Sequence, residues 1–359
     1  MQQFCCKTHV VIGPGARDFL KTLHAARVLV MTDAYFTQAG LAQSLAQSIA
    51  QDYQIDDTAL QDPSLELVAS CTARLKEYAP ELVVALGGGS VMDCAKATRY
   101  FSGLSVPLAA VPTTSGSGAE VTEFAILTHG GVKHPLISPR LCPDYAILDP
   151  VYLEKLPRSL IADAGFDVLS HALEAYVAAN ATPITDSLAL NAFRTAFAKL
   201  PASFGGDQAA RMPVHISATM AAMAFSQAGL GICHALAHSL GGLYHVPHGR
   251  LNAILLPSVV GINAQQAGDR YALLARAAGF AGSAASVAVR NLRSGLVRLR
   301  RELHLPATLA EAGIPPKDLR RNLQRILDAA MDDACGKTNP VEPGRRLLEA
   351  VLEEVAGRG

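Results

Sequence analysis

A chain of 359 residues that is half apolar has material for one large or two medium globular domains with buried cores, which excludes a small scaffold or a disordered tail. Its 31 basic and 31 acidic side chains cancel, so no long-range field of either sign marks it for a polyanion, and nucleic acid is not an expected partner. Seven cysteines with no paired CxxC spacing suit free thiols in a reducing compartment. The start, MQQFCCKTHVVIGPG, shows no basic segment leading into an apolar stretch, so a cytoplasmic protein is expected.

In the first half, short β-branched runs at 27–32, 82–86, 106–111 and 146–148 alternate with helical patterns such as 65–78. This alternation predicts an α/β domain over 1–156, built on a mainly parallel, Rossmann-like sheet with covering helices. Beyond about Pro157 such runs vanish. Ala/Leu-rich segments with i, i+3, i+4 spacing follow one another at 167–177, 184–200, 215–224, 233–243, 271–278, 286–303 and 319–332, which predicts an all-helical domain over 157–359. The most apolar stretch, from about Val214 to Val246, is interrupted by Ser226, Gln227, His234 and His238, so it reads as packed helices and no membrane partner is expected. Two domains without a low-complexity linker suggest a compact hinge and a cleft.

The run Val84-Ala-Leu-Gly87-Gly88-Gly89-Ser90-Val-Met-Asp93 carries a strand through three glycines into a helix start, where Ser90 is placed to cap and free N–H groups suit a pyrophosphate. A second turn, Pro112-Thr113-Thr114-Ser115-Gly116-Ser117-Gly118-Ala119-Glu120, follows another strand and is crowded with hydroxyls. Two such loops after strands of one sheet point to a dinucleotide more strongly than either alone. Asp33, at the end of the strand 28–33, has two readings: an acceptor for ribose hydroxyls that repels a 2′-phosphate, or a cap on the next helix.

Four of the eleven histidines lie between His234 and His248. His234 and His238 stand one helical turn apart, and Pro247-His248-Gly249 is turn-like enough to return an imidazole to that face. Upstream, Ile161-Ala-Asp163-Ala-Gly165-Phe-Asp167-Val-Leu-Ser-His171-Ala-Leu-Glu174 places Asp167 and His171 at the same spacing. One carboxylate with imidazoles and no thiolate suits Fe(II) or Zn(II). The alternatives are an Asp167 that offsets a helix dipole at an N-terminus, and histidines hydrogen-bonded within a core.

Gly87-Gly-Gly-Ser90, Pro112-Thr-Thr-Ser-Gly-Ser-Gly-Ala-Glu120, Gly165-x-Asp167-x-x-x-His171-x-x-Glu174, His234-x-x-x-His238 and Pro247-His-Gly249 resemble, in order and spacing, the iron-containing alcohol dehydrogenase family over nearly the whole chain. Residues 224–231 and Thr338-Asn-Pro340 are similar to its branch holding the 1-propanol dehydrogenase of propanediol utilisation and the alcohol dehydrogenase of ethanolamine utilisation. The resemblance implies a dehydroquinate synthase-like fold and Asp167, His171, His234 and His248 as metal ligands, with His238 beside the nicotinamide. It also implies Gly88, Gly89 and Ser90 on the pyrophosphate, Thr113, Thr114 and Ser117 in the second cofactor loop, Lys133 on a ribose, and Asp33 disfavouring NADP. The implied reaction is NAD(H)-dependent, metal-dependent reduction of a short aldehyde such as propanal or acetaldehyde to its primary alcohol, with His238 passing a proton or shaping the nicotinamide site.

Two departures stand out. Ser117-Gly-Ala119 replaces the Thr-Gly-Ser of many relatives, and Arg250, where relatives carry a small or apolar residue, is expected to alter substrate choice if it faces the cleft. His245 is expected to line a pocket or be exposed, not to ligate. Exposed apolar strands near the N-terminus, with family habit, make a homodimer the default, and microcompartment enzymes are implied partners. Alternatives on the same fold are a zinc polyol dehydrogenase and a metal-free maleylacetate-type reductase; from another class, the chain would be an assembly partner of an aldehyde-producing pathway.

Overall fold

The computed structural model describes residues 4–130 and 132–357, and the side chains of residues 132 and 133 lie outside it, so the expectation placed on Lys133 is outside the described side chains. The chain forms two compact units, one spanning Cys5–Leu156 and one running on from Pro157.

The first unit runs β1 (His9–Ile12), a 3-10 turn (Ala16–Leu23), β2 (Arg27–Thr32), α1 (Ala34–Gln38), α2 (Leu41–Ile49), β3 (Asp52–Asp56), α3 (Leu65–Tyr78), β4 (Leu82–Gly87), α4 (Gly89–Ser102), β5 (Leu108–Pro112), β6 (Phe124–His129), β7 (Val132–Ile137) and β8 (Tyr145–Leu148). Six strands form one sheet in the order β1-β8-β5-β4-β2-β3, every pairing parallel, while β6 and β7 form a separate antiparallel hairpin. Both sheet faces are covered, which is why the central strands read as unbroken apolar runs. Leu29, Met31, Val83, Ala85, Leu108 and Ala110 pack toward Val68, Leu75, Met92 and Ala95 of α3 and α4. The alternate residues Val28, Val30, Val84, Leu86, Ala109 and Val111 pack toward Leu20, Leu45 and Ala46 on the other side. Ser64 caps α3 by accepting from the Leu67 N–H at 3.1 Å.

The second unit is helical: α5 (Arg158–Val177), α6 (Pro183–Gly205), α7 (Gln208–Ala228), α8 (Ile232–Tyr244), α9 (His248–Ala277), α10 (Ala285–Glu302), α11 (Pro316–Asp332) and α12 (Arg345–Val355), with a 3-10 turn at Ala334–Thr338. Thr182 and Thr185 form a reciprocal capping box at the start of α6. The apolar stretch from Val214 is split by the Gly229-Leu-Gly231 turn, and α7 and α8 meet there at 105°. Among the described residues no single helix is long and apolar enough to cross a membrane, though this bent pair passes by length and composition together.

Two boundaries differ from the sequence reading. Helix α5 begins at Arg158, nine residues before the expected start, so Asp167 lies mid-helix and does not offset an N-terminal dipole. The segment 271–278 is no separate helix; it ends the 30-residue α9, whose backbone departs from helical geometry at Ala267.

Helix α5 is buried along most of its length, because α6, α7 and α9 all pack against it. The tightest approach is at Gly249, where a Cβ would sit 1.9 Å from the carbonyl oxygen of Asp163. That oxygen is backbone and cannot swing aside. Gly249→Ala is expected to destabilise the protein by about 1–3 kcal/mol or more, read as a lowered thermal midpoint; an unchanged midpoint would show that α5 and α9 do not meet this closely.

Candidate metal centre and nucleotide loops

Helices α5, α8 and α9 carry the cluster. Asp167 and His171 stand one turn apart on α5, His234 and His238 one turn apart on α8, and His248 opens α9 directly after Pro247. The Pro247-His-Gly segment expected as a turn is thus a helix start, the missing proline N–H costing nothing there.

Asp167 Oδ1 lies 3.8 Å from His171 Nε2, 3.8 Å from His234 Nε2 and 3.5 Å from His248 Nε2. These separations are too long for hydrogen bonds, yet they approach the spacing that about 2.0–2.2 Å bonds to one tetrahedral cation impose on its ligands. Asp167, His234 and His248 bring one donor atom each within 4.8 Å of one another and could therefore hold one divalent ion, while the expected fourth ligand, His171, stands near the carboxylate but outside that group. The rings of His171 and His234 stack at 4.5 Å and 18°, and Phe225 stacks on His171 from the other side at 4.4 Å, which fixes their planes. His238 stacks on His248 at 5.0 Å and 17°.

Glu174 orients the centre. Its Oε2 lies 2.5 Å from His234 Nδ1, and its Oε1 accepts the Cys233 N–H at 2.7 Å in the first turn of α8. A proton held on Nδ1 by this carboxylate leaves the Nε2 lone pair facing Asp167, the tautomer a ligand needs. Burial would drain charge from His234, but Asp167 and Glu174 outweigh it and raise its pKa to about 9. Burial would raise Asp167, but the surrounding imidazoles, His171 first, hold it well below the usual carboxylate range. His248 is driven well down, by burial first and by its histidine neighbours against the pull of Asp167. A cation would replace these proton-dependent charges by a fixed one.

Two amides complete the surroundings. Asn252 is fully buried one turn beyond His248 and donates through Nδ2 to Asp167 Oδ1 at 2.9 Å. Asn339 accepts from the Ile232 N–H at 3.3 Å and exchanges hydrogen bonds with Asn263 at 2.8 and 2.9 Å. Gly231 makes this convergence possible: a Cβ there would stand 2.6 Å from both Glu174 Oε1 and Asn339 Oδ1.

His238 does not share this carboxylate. Its Nδ1 lies 2.9 Å from Oδ2 of Asp333, whose Oδ1 accepts the Cys335 N–H at 2.8 Å. Burial opposes ionisation of Asp333, but the bond from His238 prevails and lowers its pKa to about 2. His245 is exposed, in left-handed backbone at the C-terminus of α8.

In the first unit, β4 delivers Gly88 as the N-cap of α4, with no side-chain cap. Ser90, expected to cap, instead lies inside the first helical turn, its Oγ accepting from the Asp62 N–H at 3.4 Å. The two loops pack on each other: a Cβ on Gly88 would meet Thr114 Cγ2 at 3.3 Å, and one on Gly89 would meet Ser117 Oγ at 3.0 Å. Thr113 is buried, its N–H bonded to the Gly87 carbonyl at 3.0 Å. Asp33 follows β2, the neighbour of β4, and Oδ1 receives the Tyr35 and Phe36 N–H groups at 3.0 and 3.4 Å. It is the cap of α1. Connections from β2 and β4 leave in opposite directions, so Asp33 and Gly88 flank the switch point of the sheet.

Sequence comparison matches residues 7–150 to the iron-containing alcohol dehydrogenase model and residues 161–356 to the C-terminal model of the Fe-containing alcohol dehydrogenase family. The chain belongs to the iron-containing alcohol dehydrogenase family. It is an alcohol dehydrogenase, which interconverts alcohols and aldehydes. The 1-propanol dehydrogenase PduQ of Salmonella typhimurium is 36% identical over 99% of this chain and 100% of its own length. The probable alcohol dehydrogenase EutG of the same organism is 37% identical over 88% of this chain and 84% of its own. The iron-containing alcohol dehydrogenase of Thermococcus thioreducens superposes with a TM-score of 0.92 at 31% identity, covering 98% of this chain and 99% of that one.

Three features of this alcohol dehydrogenase escaped the sequence reading. Asp333 and Asn339 lie about a hundred residues from the histidines they serve, with no spacing signal. Asn252 carried one, four residues after His248 and hence on the same face of α9. Arg250 forms a two-pronged pair with Asp163, its Nε and Nη2 donating at 3.1 and 2.9 Å and tying it to α5.

Removing Glu174 strands a buried imidazole and a helix-terminal N–H together. Glu174→Ala is expected to lower stability by about 3–5 kcal/mol in urea unfolding and Glu174→Gln by clearly less; equal midpoints for wild type and Glu174→Ala would remove Glu174 from this role.

Proposed function

We propose that this alcohol dehydrogenase reduces a short-chain aldehyde such as propanal or acetaldehyde to its primary alcohol with NAD(H) and one divalent cation, iron or zinc. The observation that carries the reading is the convergence of three Nε2 atoms on one oxygen of Asp167 at 3.5–3.8 Å. Asp167, His171, His234 and His248 would hold the cation, whose chemistry when bound is Lewis-acid polarisation of the substrate oxygen; the nicotinamide supplies the hydride. The set contains no sulfur and suits Fe(II) and Zn(II) alike.

The remaining work belongs to the chain's own side chains. Glu174 and Asn252 fix the donors in place. Asp333 keeps a proton on His238 Nδ1, so that Nε2 is the atom free to take up a proton and pass it on to the alcohol oxygen or to a cofactor hydroxyl. Gly88, Gly89 and Ser90 offer the unpaired N–H groups of the first turn of α4 to a pyrophosphate. Thr113, Thr114 and Ser117 supply hydroxyls, and Lys133 a ribose contact. Asp33 spends Oδ1 on its cap, and the carboxylate charge disfavours a 2′-phosphate. A cytoplasmic homodimer working with microcompartment enzymes completes the proposal; it rests on the resemblance of residues 224–231 and 338–340 to the branch described above.

Anaerobically purified wild type is expected to carry near-stoichiometric iron and to oxidise NADH with propanal, and His248→Ala to lose both metal and turnover. Metal-free propanal reduction by wild type, or full activity in the variant, would overturn the ligand assignment. For the nucleotide, Asp33→Asn keeps a capping oxygen and removes the charge. The ratio of kcat/KM with NADPH to that with NADH is expected to rise by about tenfold or more; an unchanged ratio would leave Asp33 a cap alone.

A further inference from the structure

His238, Asp333 and Cys335 form a second group of donors that the proposed reaction uses only in part. One nitrogen, one carboxylate oxygen and one sulfur from these three residues all lie within 4.8 Å of one another, on a half-buried patch of the helical unit. We propose that these three side chains form a separate binding site for a thiophilic divalent cation, which shuts the enzyme down when occupied.

The backbone holds the donors ready. Cys335 follows Asp333 by two residues in the 3-10 turn, and its N–H on Asp333 Oδ1 at 2.8 Å sets both side chains on one side of that turn. Thr338 Oγ1 anchors the turn by donating to the Leu230 carbonyl at 2.7 Å, just ahead of α8. His238 reaches it from α8, Nδ1 to Asp333 Oδ2 at 2.9 Å. A tetrahedral cation with bonds of about 2.0–2.3 Å would need that pair to open by about half an ångström, within the freedom of side chains that keep some exposure. The remaining coordination position would fall to water.

Ligand chemistry separates the two clusters. The Asp167 group offers one oxygen and three nitrogens, whereas this one offers sulfur, nitrogen and oxygen, so softer cations partition to it. Binding displaces the thiol proton of Cys335 to solvent, and His238 gives up its Nδ1 proton, the ring keeping one on Nε2. Occupation breaks the His238–Asp333 bond and locks the imidazole. The inhibitory part rests on the role proposed for His238; the binding part does not.

The test begins with protein carrying one equivalent of Fe(II), which the sulfur-free Asp167 cluster suits, titrated anaerobically with Co(II) and read against the untitrated protein. A thiolate-to-cobalt charge-transfer band reports the sulfur site alone, since cobalt exchanged into the Asp167 cluster meets no thiolate. The band is expected to saturate at one equivalent in wild type and to be absent in Cys335→Ser. His238→Gln keeps the thiol and is expected to weaken cobalt binding by at least the about 10–100-fold that losing even an outer partner costs a metal site. Excess zinc is expected to inhibit propanal reduction by wild type and to spare Cys335→Ser, whose basal turnover is unchanged. No band in wild type, or the same band in Cys335→Ser, would overturn the site. A normal band without inhibition would keep the site and overturn the role of His238.

Discussion

The helical unit is organised around one buried carboxylate. Glu174 binds two groups that both need an anion: the Cys233 N–H at the open end of α8, and Nδ1 of His234 one residue further on. A helix N-terminus and a hydrogen-bonded imidazole each favour negative charge, and together they stabilise it in a place that water does not reach. Because Glu174 sits two turns beyond Asp167 on α5, the same contact sets the distance between the two helices that bear most of the donors. Position and tautomer are thereby fixed in one step.

Neighbouring residues follow from that constraint. Gly231 must lack a side chain, since any Cβ would collide with the carboxylate and with Asn339. Asn339 takes the next N–H, of Ile232, and is itself held by Asn263, so a loop from the end of the chain braces the start of α8. Gly249 lets α9 touch the backbone of α5 beside Asp163, while Arg250 clamps the same residue by its guanidinium. Burial leaves Asp163 raised even with that partner, a sign of how dry this stretch of α5 is. His248 then enters from the first residue of α9 with little freedom to wander.

In the α/β unit the organising constraint is steric. The glycines after β4 stand where Thr114 and Ser117 of the neighbouring loop would strike a side chain. Main-chain N–H groups are therefore the surface that loop offers. The fully buried Lys96 of α4 adds a second tie, donating to Thr122 Oγ1 and the Phe124 carbonyl at 2.9 and 2.7 Å, so that the helix is fastened to the strand that opens the hairpin. Burial weakens its hold on the proton, bringing its pKa down to about 8.

Local pattern was enough for what depends on neighbours in sequence. The apolar runs at 27–32 and 82–86, the helix 65–78, the glycine turn after β4 and the i, i+4 pairs Asp167/His171 and His234/His238 are all legible, because strand and helix periods place such residues without knowledge of the rest of the chain. Helix ends were less legible. The start of α5 at Arg158 and the continuity of α9 through 271–278 are set by packing against other helices, which overrides local propensity. What only the tertiary structure decided is pairing across long separations: Glu174 with His234, Asp333 with His238, Asn339 with the start of α8, Asp163 with Arg250. Each joins residues 60 or more apart through polar groups whose one-dimensional signal is that of an ordinary cap or surface charge. Sequence alone named the candidate donors; how they are brought together and charged came from burial, which makes the polar groups of the cluster depend on partners supplied by other helices.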